Sequence, residues 1–405
     1  MANAQKQQPP LTLADYAAQS SETDRFVSVP DGSIQLTFGF FGEIGSLLSA
    51  LKKVNRDRLI ESETQVAGEE VGDALWYLMA IANASAIDPR ALGERCMAYL
   101  RERFGEHERR YETEVSFRQI DGLVAVHDIA AESRRTDLLG ELARASGQIV
   151  GHADASQLTL YHDTQTNLLA QLLGMLALVA SSFMLTLEDI ARDNLVKILD
   201  RWPGKRLSYI PPLDASFPEH ERLPSVIPME FIERTSRAST YVVQRLHGVY
   251  VGDRLTDNSN EADDYRFHDV FHLAYVAHLG WSPVIRGLLK LKRKSNPETD
   301  ENEDGARAMI IEEGIATWIF NHARQRNYYS DVEAGKLEYG LLKQVRSMVA
   351  GYEVAAAPLW QWERAILDGF RVFRELRRPE NRGGMVTVDM RAHTLSYEAP
   401  PRIEE

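Results

Sequence analysis

The chain of 405 residues has a single cysteine, Cys96, so it can form neither an internal disulfide nor a cysteine-built zinc cluster. Cys96 sits in the middle of an apolar helical segment and reads as a small buried hydrophobe. A Gly-rich phosphate loop closed by lysine and Ser/Thr is absent, which sets P-loop chemistry aside. No Ser-His-Asp grouping stands in a context that suggests a covalent route. No apolar run approaches a membrane span. The longest, Leu168 to Leu187, is broken by Gln171, Gly174, Ser181 and Ser182. The polar start, Met1 to Pro10, lacks an apolar signal region, so a cytoplasmic protein with no membrane partner is expected. Positive charge is in short supply: 46 Lys and Arg stand against 59 Asp and Glu, a formal net charge of −13. That balance argues against direct nucleic-acid binding. It leaves nucleotides open, because a bound metal can carry the phosphate charge that acidic side chains alone would repel.

What the chain has is helical periodicity and acid. Apolar residues make up 44% and charged residues 26%, enough for separate packed cores in a chain of this length. The expected fold class is mainly α. Two short acidic stretches organise the first part: Phe41-Gly42-Glu43-Ile44-Gly45-Ser46 and Glu69-Glu70-Val71-Gly72-Asp73-Ala74-Leu75-Trp76-Tyr77. In the second, Val71, Ala74, Leu75, Leu78 and Ala82 form one apolar stripe, which puts Glu70 and Asp73 one above the other on a single helix face. Glu43 lies in another apolar-periodic segment through Leu47, Leu48, Leu51 and Val54. Two such helices packed side by side bring Glu43, Glu70 and Asp73 together as hard oxygen ligands of the kind Mg²⁺ prefers, with Mn²⁺ as the alternative. The competing reading is a pair of solvated acidic helix faces.

The wording of these segments closely resembles the MazG-like, all-α nucleoside triphosphate pyrophosphohydrolases. Gly-Glu-x-Gly, the basic helix end Lys52-Lys53, a polar loop from Asn55 to Gln65, and Glu-Glu-x-Gly-Asp-x-Leu-Trp-Tyr-Leu carry the likeness. Leu11 to Tyr16 and Thr23-Asp24 resemble the opening helix of that family. One departure stands out: the family's first motif is Glu-x-x-Glu, and its second carboxylate is here Ser46. Three of four expected ligands remain.

The resemblance implies Mg²⁺ held by Glu43, Glu70 and Asp73, acting on a nucleoside triphosphate to give monophosphate and pyrophosphate. The bound metal would polarise the α-phosphorus and acidify the attacking water. Glu69, the nearest spare carboxylate, would orient that water, and Lys52, Lys53 or Lys197 would neutralise the phosphate tail.

Further along, the chain carries a degraded copy of the same module. Adding 98 to the numbering takes Gly42-Glu43 onto Gly140-Glu141, Leu78 onto Leu176, Ala82 onto Ala180, and Arg103-Phe104 onto Arg201-Trp202, without gaps. Helix periodicity alone can generate such matches. The stretch from Leu187 to Pro203, however, resembles the family's closing helix better than its counterpart at 90–104. At this offset Glu70 and Asp73 become Leu168 and Gln171, whereas Cys96 and Tyr99 become Asn194 and Lys197. Modules of this family build their sites between helix pairs from two protomers. A fused tandem would therefore combine carboxylates of copy one with Asn194 and Lys197 of copy two.

The expected domains are 11–115 (acidic module), 130–205 (degenerate module), 206–228 (linker marked by Pro211, Pro212, Pro218, Pro224 and Pro228) and 229–376 (helical C-terminal domain). A tail at 377–405 follows, with a hairpin of 385–390 against 394–397. The third segment has its own constellation. His268, Asp269 and His272 share a helix face, and a later helix, Ala306 to Arg324, carries Glu312 and Glu313. Such a set suits zinc, iron or acid–base chemistry, or else is a pair of buried histidines satisfied by facing acids. His-Asp-Val-Phe-His-Leu-Ala, Gly-Trp-Ser-Pro and Glu-Glu-Gly-Ile-Ala resemble a C-terminal domain fused to some MazG-like proteins. The strip Lys290, Lys292, Arg293 and Lys294 reads as a solvated loop.

Two further readings stay open: a non-catalytic nucleotide sensor that signals to a metal-dependent C-terminal effector, and a helical scaffold. Helical modules of this kind often pair, so a homo-oligomer is also expected.

Overall fold

Short polar side chains set the helix starts in the first half of the chain. The computed structural model describes residues 8–57, 62–107, 114–127, 132–151, 162–204, 207–236 and 239–400. Thr12 accepts from the Asp15 amide and opens α1 (Leu13–Ser21). Helix α2 (Gly32–Asp57) follows, and Ser62 and Gln65 form a capping box at the start of α3 (Glu63–Ala84). Asp88 caps α4 (Pro89–Phe104), with proline in the first turn where its missing N–H costs nothing. A second capping box, Ser116 with Gln119, starts α5 (Phe117–Val126). Then come α6 (Glu132–Gly151), α7 (His162–Ser182) and α8 (Leu187–Arg201).

The chain divides into two compact units, Met1–Leu199 and Asp200–Glu405. In the first, α2 lies along α3, α6 lies along α7, and α7 packs against α3, α4 and α5. Helix α7 is apolar on all sides because it is enclosed on all sides: Leu169, Leu172, Leu173, Leu176 and Val179 are fully buried. Adding 98 to the bounds of α3 gives 161–182, against 162–182 for α7; the same shift takes α4 to 187–202, against 187–201 for α8. The two expected modules nonetheless share one core, in which Leu75 and Leu78 of α3 join Leu172 and Leu176 of α7. They are one folded unit, not two domains in series. The sequence reading also passed over Gly32–Lys53, which is long and apolar enough to cross a membrane by length and composition. In the structure it packs against α3 and α6 with Glu43 at its middle.

The second unit carries a sheet that the helical periodicity did not show. Strands β1 (Val226–Thr235), β2 (Thr240–Leu246), β3 (Val249–Leu255), β4 (Gly383–Asp389) and β5 (Thr394–Glu398) form one antiparallel sheet in the order β3-β2-β1-β4-β5. On β1 the alternating residues Ile227, Met229 and Phe231 are buried, the period-two signature of a strand with one covered face. His247 and Gly248, both at positive φ, make the tight β2–β3 turn. Helix α9 (Asp269–Leu279) packs on β4 and β5 beside α14 (Leu359–Leu376). Helices α10 (Pro283–Leu289), α11 (Pro297–Asn302), α12 (Ala306–Arg324) and α13 (Tyr339–Met348) complete the unit.

The expected mainly α fold class is borne out, with a five-stranded antiparallel sheet in the second unit. Three expectations are corrected here. The hairpin at 385–398 forms, but β4 also pairs with β1 (Met229 opposite Val386), so it is integral rather than a tail. The described part of the expected linker, 207–228, is wall rather than tether: the Asp214 carboxylate accepts from the Leu223 amide and the Arg286 guanidinium, and Glu221 accepts from Ser295. Arg293, read as part of a solvated strip, is buried between Asp304 and Glu353, because a buried guanidinium needs carboxylates on both edges.

Candidate functional site

In the first unit the packing of α2 on α3 brings Glu43, Glu70 and Asp73 together. Burial, then the charges of Asp73 and Glu70, raise the Glu43 carboxyl from 4.5 to about 7, and Glu43 and Glu70 share a hydrogen bond. Burial and the two neighbouring carboxylates thus favour a protonated Glu43, whose proton is shared with Glu70. The close approach depends on Gly39: a Cβ there would lie 2.2 Å from the Tyr77 ring, so only glycine lets α3 lay Tyr77 on α2. The Tyr77 phenol is itself pushed up by burial and by Glu43 and Asp73, which keeps it neutral and able to donate.

Helix α8 supplies the other side. Asn194 Nδ2 donates to Asp73 Oδ1 at 3.2 Å, and Lys197 Nζ donates to Asp73 Oδ2 at 2.6 Å and Glu69 Oε1 at 3.0 Å. Asn194 is held in turn by the buried Tyr16, whose hydroxyl donates to Asn194 Oδ1 at 2.7 Å. Gly72 makes room for this: a Cβ there would already touch the Asn194 Cβ at 3.3 Å. Between α3 and α8 lies a cavity of about 370 Å³ lined by Thr64, Gln65, Gly68, Glu69, Leu185, Ile190, Asn194 and Lys197. That volume suits a small ligand.

Of the residues singled out in the sequence, Glu43, Glu69, Glu70, Asp73, Asn194 and Lys197 thus meet. Lys52 and Lys53 do not: they stand exposed about two and a half turns along α2 from Glu43, roughly 14 Å by helical rise. Ser46 is exposed on α2, one turn beyond Glu43. Tyr16 and Tyr77 were quoted only as parts of longer segments. Aromatic residues on apolar stripes give no sign in the sequence that their hydroxyls face a polar cluster.

In the second unit α9 and α12 bring His268, Asp269, His272, Glu312 and Glu313 together. His272 Nδ1 lies 2.8 Å from Glu312 Oε1, and His272 Nε2 lies 3.5 Å from Glu313 Oε2. His268 Nε2 lies 3.1 Å from Asp269 Oδ1 and 3.9 Å from Glu313 Oε2. Burial opposes a charge on His272, but Glu312 and Glu313 outweigh it and raise its pKa; His272 in turn draws Glu313 below the usual carboxylate range against the effect of burial.

Residues 208–401 match the family model of the MazG C-terminal domain. No curated protein and no solved structure matches the chain. The second unit is therefore a MazG-associated domain, and such a domain points to a nucleotide-related function.

Proposed function

We propose that the first unit hydrolyses nucleoside triphosphates to the monophosphate and pyrophosphate, at a site made of α3 and α2 carboxylates and α8 amide and ammonium groups. The observation that carries this reading is the convergence of Glu43, Glu70 and Asp73, with Glu43 raised to about 7. The donors are hard oxygens from three carboxylates, which fits Mg²⁺ or Mn²⁺. Glu43, Glu70 and Asp73 would hold the ion, and when bound it supplies charge neutralisation on the phosphates and a more acidic attacking water.

The chain's own groups do the rest. Lys197 sets a fixed positive charge beside Asp73, so the site offsets less negative charge with metal than a four-carboxylate site would; this suits a chain with Ser46 in place of the fourth acid. Asn194, fixed by Tyr16, holds the Asp73 carboxylate in one orientation. Glu69 is half exposed at the edge of the cavity and is placed to accept a proton from water as the bond from the α-phosphorus to its bridging oxygen breaks. Leu185 and Ile190 give the cavity an apolar wall for a base, and Thr64 and Gln65 offer polar edges.

Lys197 also supports a second reading. An ammonium group at 2.6 Å from Asp73 holds a carboxylate that a metal would need, as expected of a domain that binds a nucleotide and does not cleave it. The two readings part on one comparison: pyrophosphate release over a panel of ribo- and deoxynucleotides with Mg²⁺ or Mn²⁺, next to nucleotide binding by calorimetry. Turnover lost in Glu70→Gln and Asp73→Asn supports hydrolysis. Binding without turnover in the wild type supports the sensor, and equal turnover in all three proteins removes the site from the chemistry.

A further inference from the structure

The histidine and carboxylate cluster of the second unit is arranged as a metal centre rather than as a buried ion pair. Both imidazoles spend Nδ1 on the protein. His268 Nδ1 faces the Tyr265 carbonyl at 2.9 Å, and a carbonyl only accepts, so Nδ1 carries the proton there. His272 Nδ1 faces Glu312 Oε1 at 2.8 Å, and Glu312 is fixed by two other groups: it also accepts from the Ser282 hydroxyl at 2.6 Å and the Val284 amide at 2.8 Å. This is the outer arrangement that orients ligating histidines, and it leaves each ring's Nε2 facing the carboxylates of Asp269 or Glu313. The Tyr265 ring stacks on His268 at 4.3 Å and locks its plane.

What the two Nε2 atoms face completes the case. His272 Nε2 is fully buried and has no hydrogen-bond partner among the described residues. A buried ring nitrogen beside carboxylates is costly unless a cation, either a proton or a metal ion, sits between them. Four bonds of roughly 2.1 Å in a tetrahedron put ligand atoms about 3.4 Å apart. The observed separations, 3.1, 3.5 and 3.9 Å, bracket that edge. Donor atoms of His268, Asp269 and His272 all lie within 4.8 Å of one another.

We propose that His268 Nε2, His272 Nε2, Asp269 and Glu313 bind one divalent transition-metal ion of the zinc class. Two imidazole nitrogens exclude a magnesium or calcium site, and two carboxylates offset the ion's charge. Three of the ligands are buried and the Glu313 side chain is 43% exposed, so the ion enters past Glu313. This centre draws all its ligands from the second unit.

The test is Co²⁺ and Zn²⁺ binding to the full chain after chelation, read by metal content and by the visible bands of tetrahedral Co²⁺. The variants are Glu313→Gln, at the exposed edge of the cluster, and His268→Ala, at a buried position, with Glu70→Gln as a control for the first unit. The proposal expects one Co²⁺ with visible bands in the wild type, the same bands in Glu70→Gln, and at least tenfold weaker binding in the other two. A Glu312→Gln variant, which leaves all four ligands in place and alters the support behind His272, should weaken binding by about 10–100-fold. Circular dichroism on each variant separates a lost ligand from a lost fold, and Glu313→Gln is isosteric. No bands in the wild type, or bands undiminished in both Glu313→Gln and His268→Ala, overturns the proposal.

Discussion

Replacing Glu43 by glutamine should stabilise the metal-free protein while removing its chemistry. A carboxyl raised from 4.5 in the unfolded chain to about 7 in the folded one costs stability wherever the unfolded chain ionises it and the folded chain does not. Its contribution is therefore fully present below pH 4.5 and is lost as the pH rises through 7. At about 1.4 kcal/mol per pH unit, the loss at pH 8 is bounded at roughly 3.5 kcal/mol, and partial solvation of Glu43 reduces it to on the order of 1–2 kcal/mol. Glutamine keeps a donor for Glu70 and carries no charge, so it escapes the loss. Thermal unfolding in EDTA, followed by helical circular dichroism, should show Glu43→Gln melting a few degrees above the wild type at pH 8, at about 2–4 °C per kcal/mol. The two should coincide at pH 4.5. Millimolar Mg²⁺ should raise the wild type and leave Glu43→Gln nearly unmoved. A variant that melts lower than the wild type at pH 8, or a gap that is the same at both pH values, would refute the carboxylate-cluster reasoning.

The remaining predictions test the packing and charges around the two units. Lys197 lowers the Glu43 pKa, so Lys197→Met should move the acidic limb of any rate–pH profile upward; an unchanged limb would detach Lys197 from the cluster. Gly39→Ala drives a methyl into the Tyr77 ring and should cut activity through a displaced α2–α3 contact, checked by kinetics at constant helicity. Leu176→Ala in α7 should cost about 2–5 kcal/mol in denaturant unfolding, as expected for a fully buried leucine. Glu363→Ala leaves the buried Arg201 guanidinium and the Gly335 and Leu337 amides without their carboxylate, and should cost about 3–5 kcal/mol.

Much of the first unit was legible because its information is local. A 3.6-residue apolar period shows which faces the helices bury, whereas the caps at Thr12, Ser62 and Ser116 emerged only with the structure. Asn194 and Lys197 could be placed near Asp73 because the resemblance to MazG-like modules implies a site shared between two copies, and the 98-residue shift shows which residues copy two brings to it. The sheet was not legible: β1 to β3 combine charged and apolar residues over short runs, and their pairing with β4 spans more than a hundred residues. Arg293 was misread for a related reason. Its partners Asp304 and Glu353 are supplied by other elements, and a lysine-rich neighbourhood gives no hint of them. The roles of Tyr16 and Tyr77 were hidden because a phenol's apolar body places it in the core whatever its hydroxyl does.

The most direct test of the first unit's chemistry is hydrolysis of a nucleoside triphosphate in ¹⁸O-labelled water with Mg²⁺, read by mass spectrometry of both products. Attack at the α-phosphorus predicts one label in the monophosphate, none in pyrophosphate, and a loss of about 10²–10³-fold in rate in Asp73→Asn. Label in the pyrophosphate or in inorganic phosphate, or an Asp73→Asn variant as fast as the wild type, would contradict it.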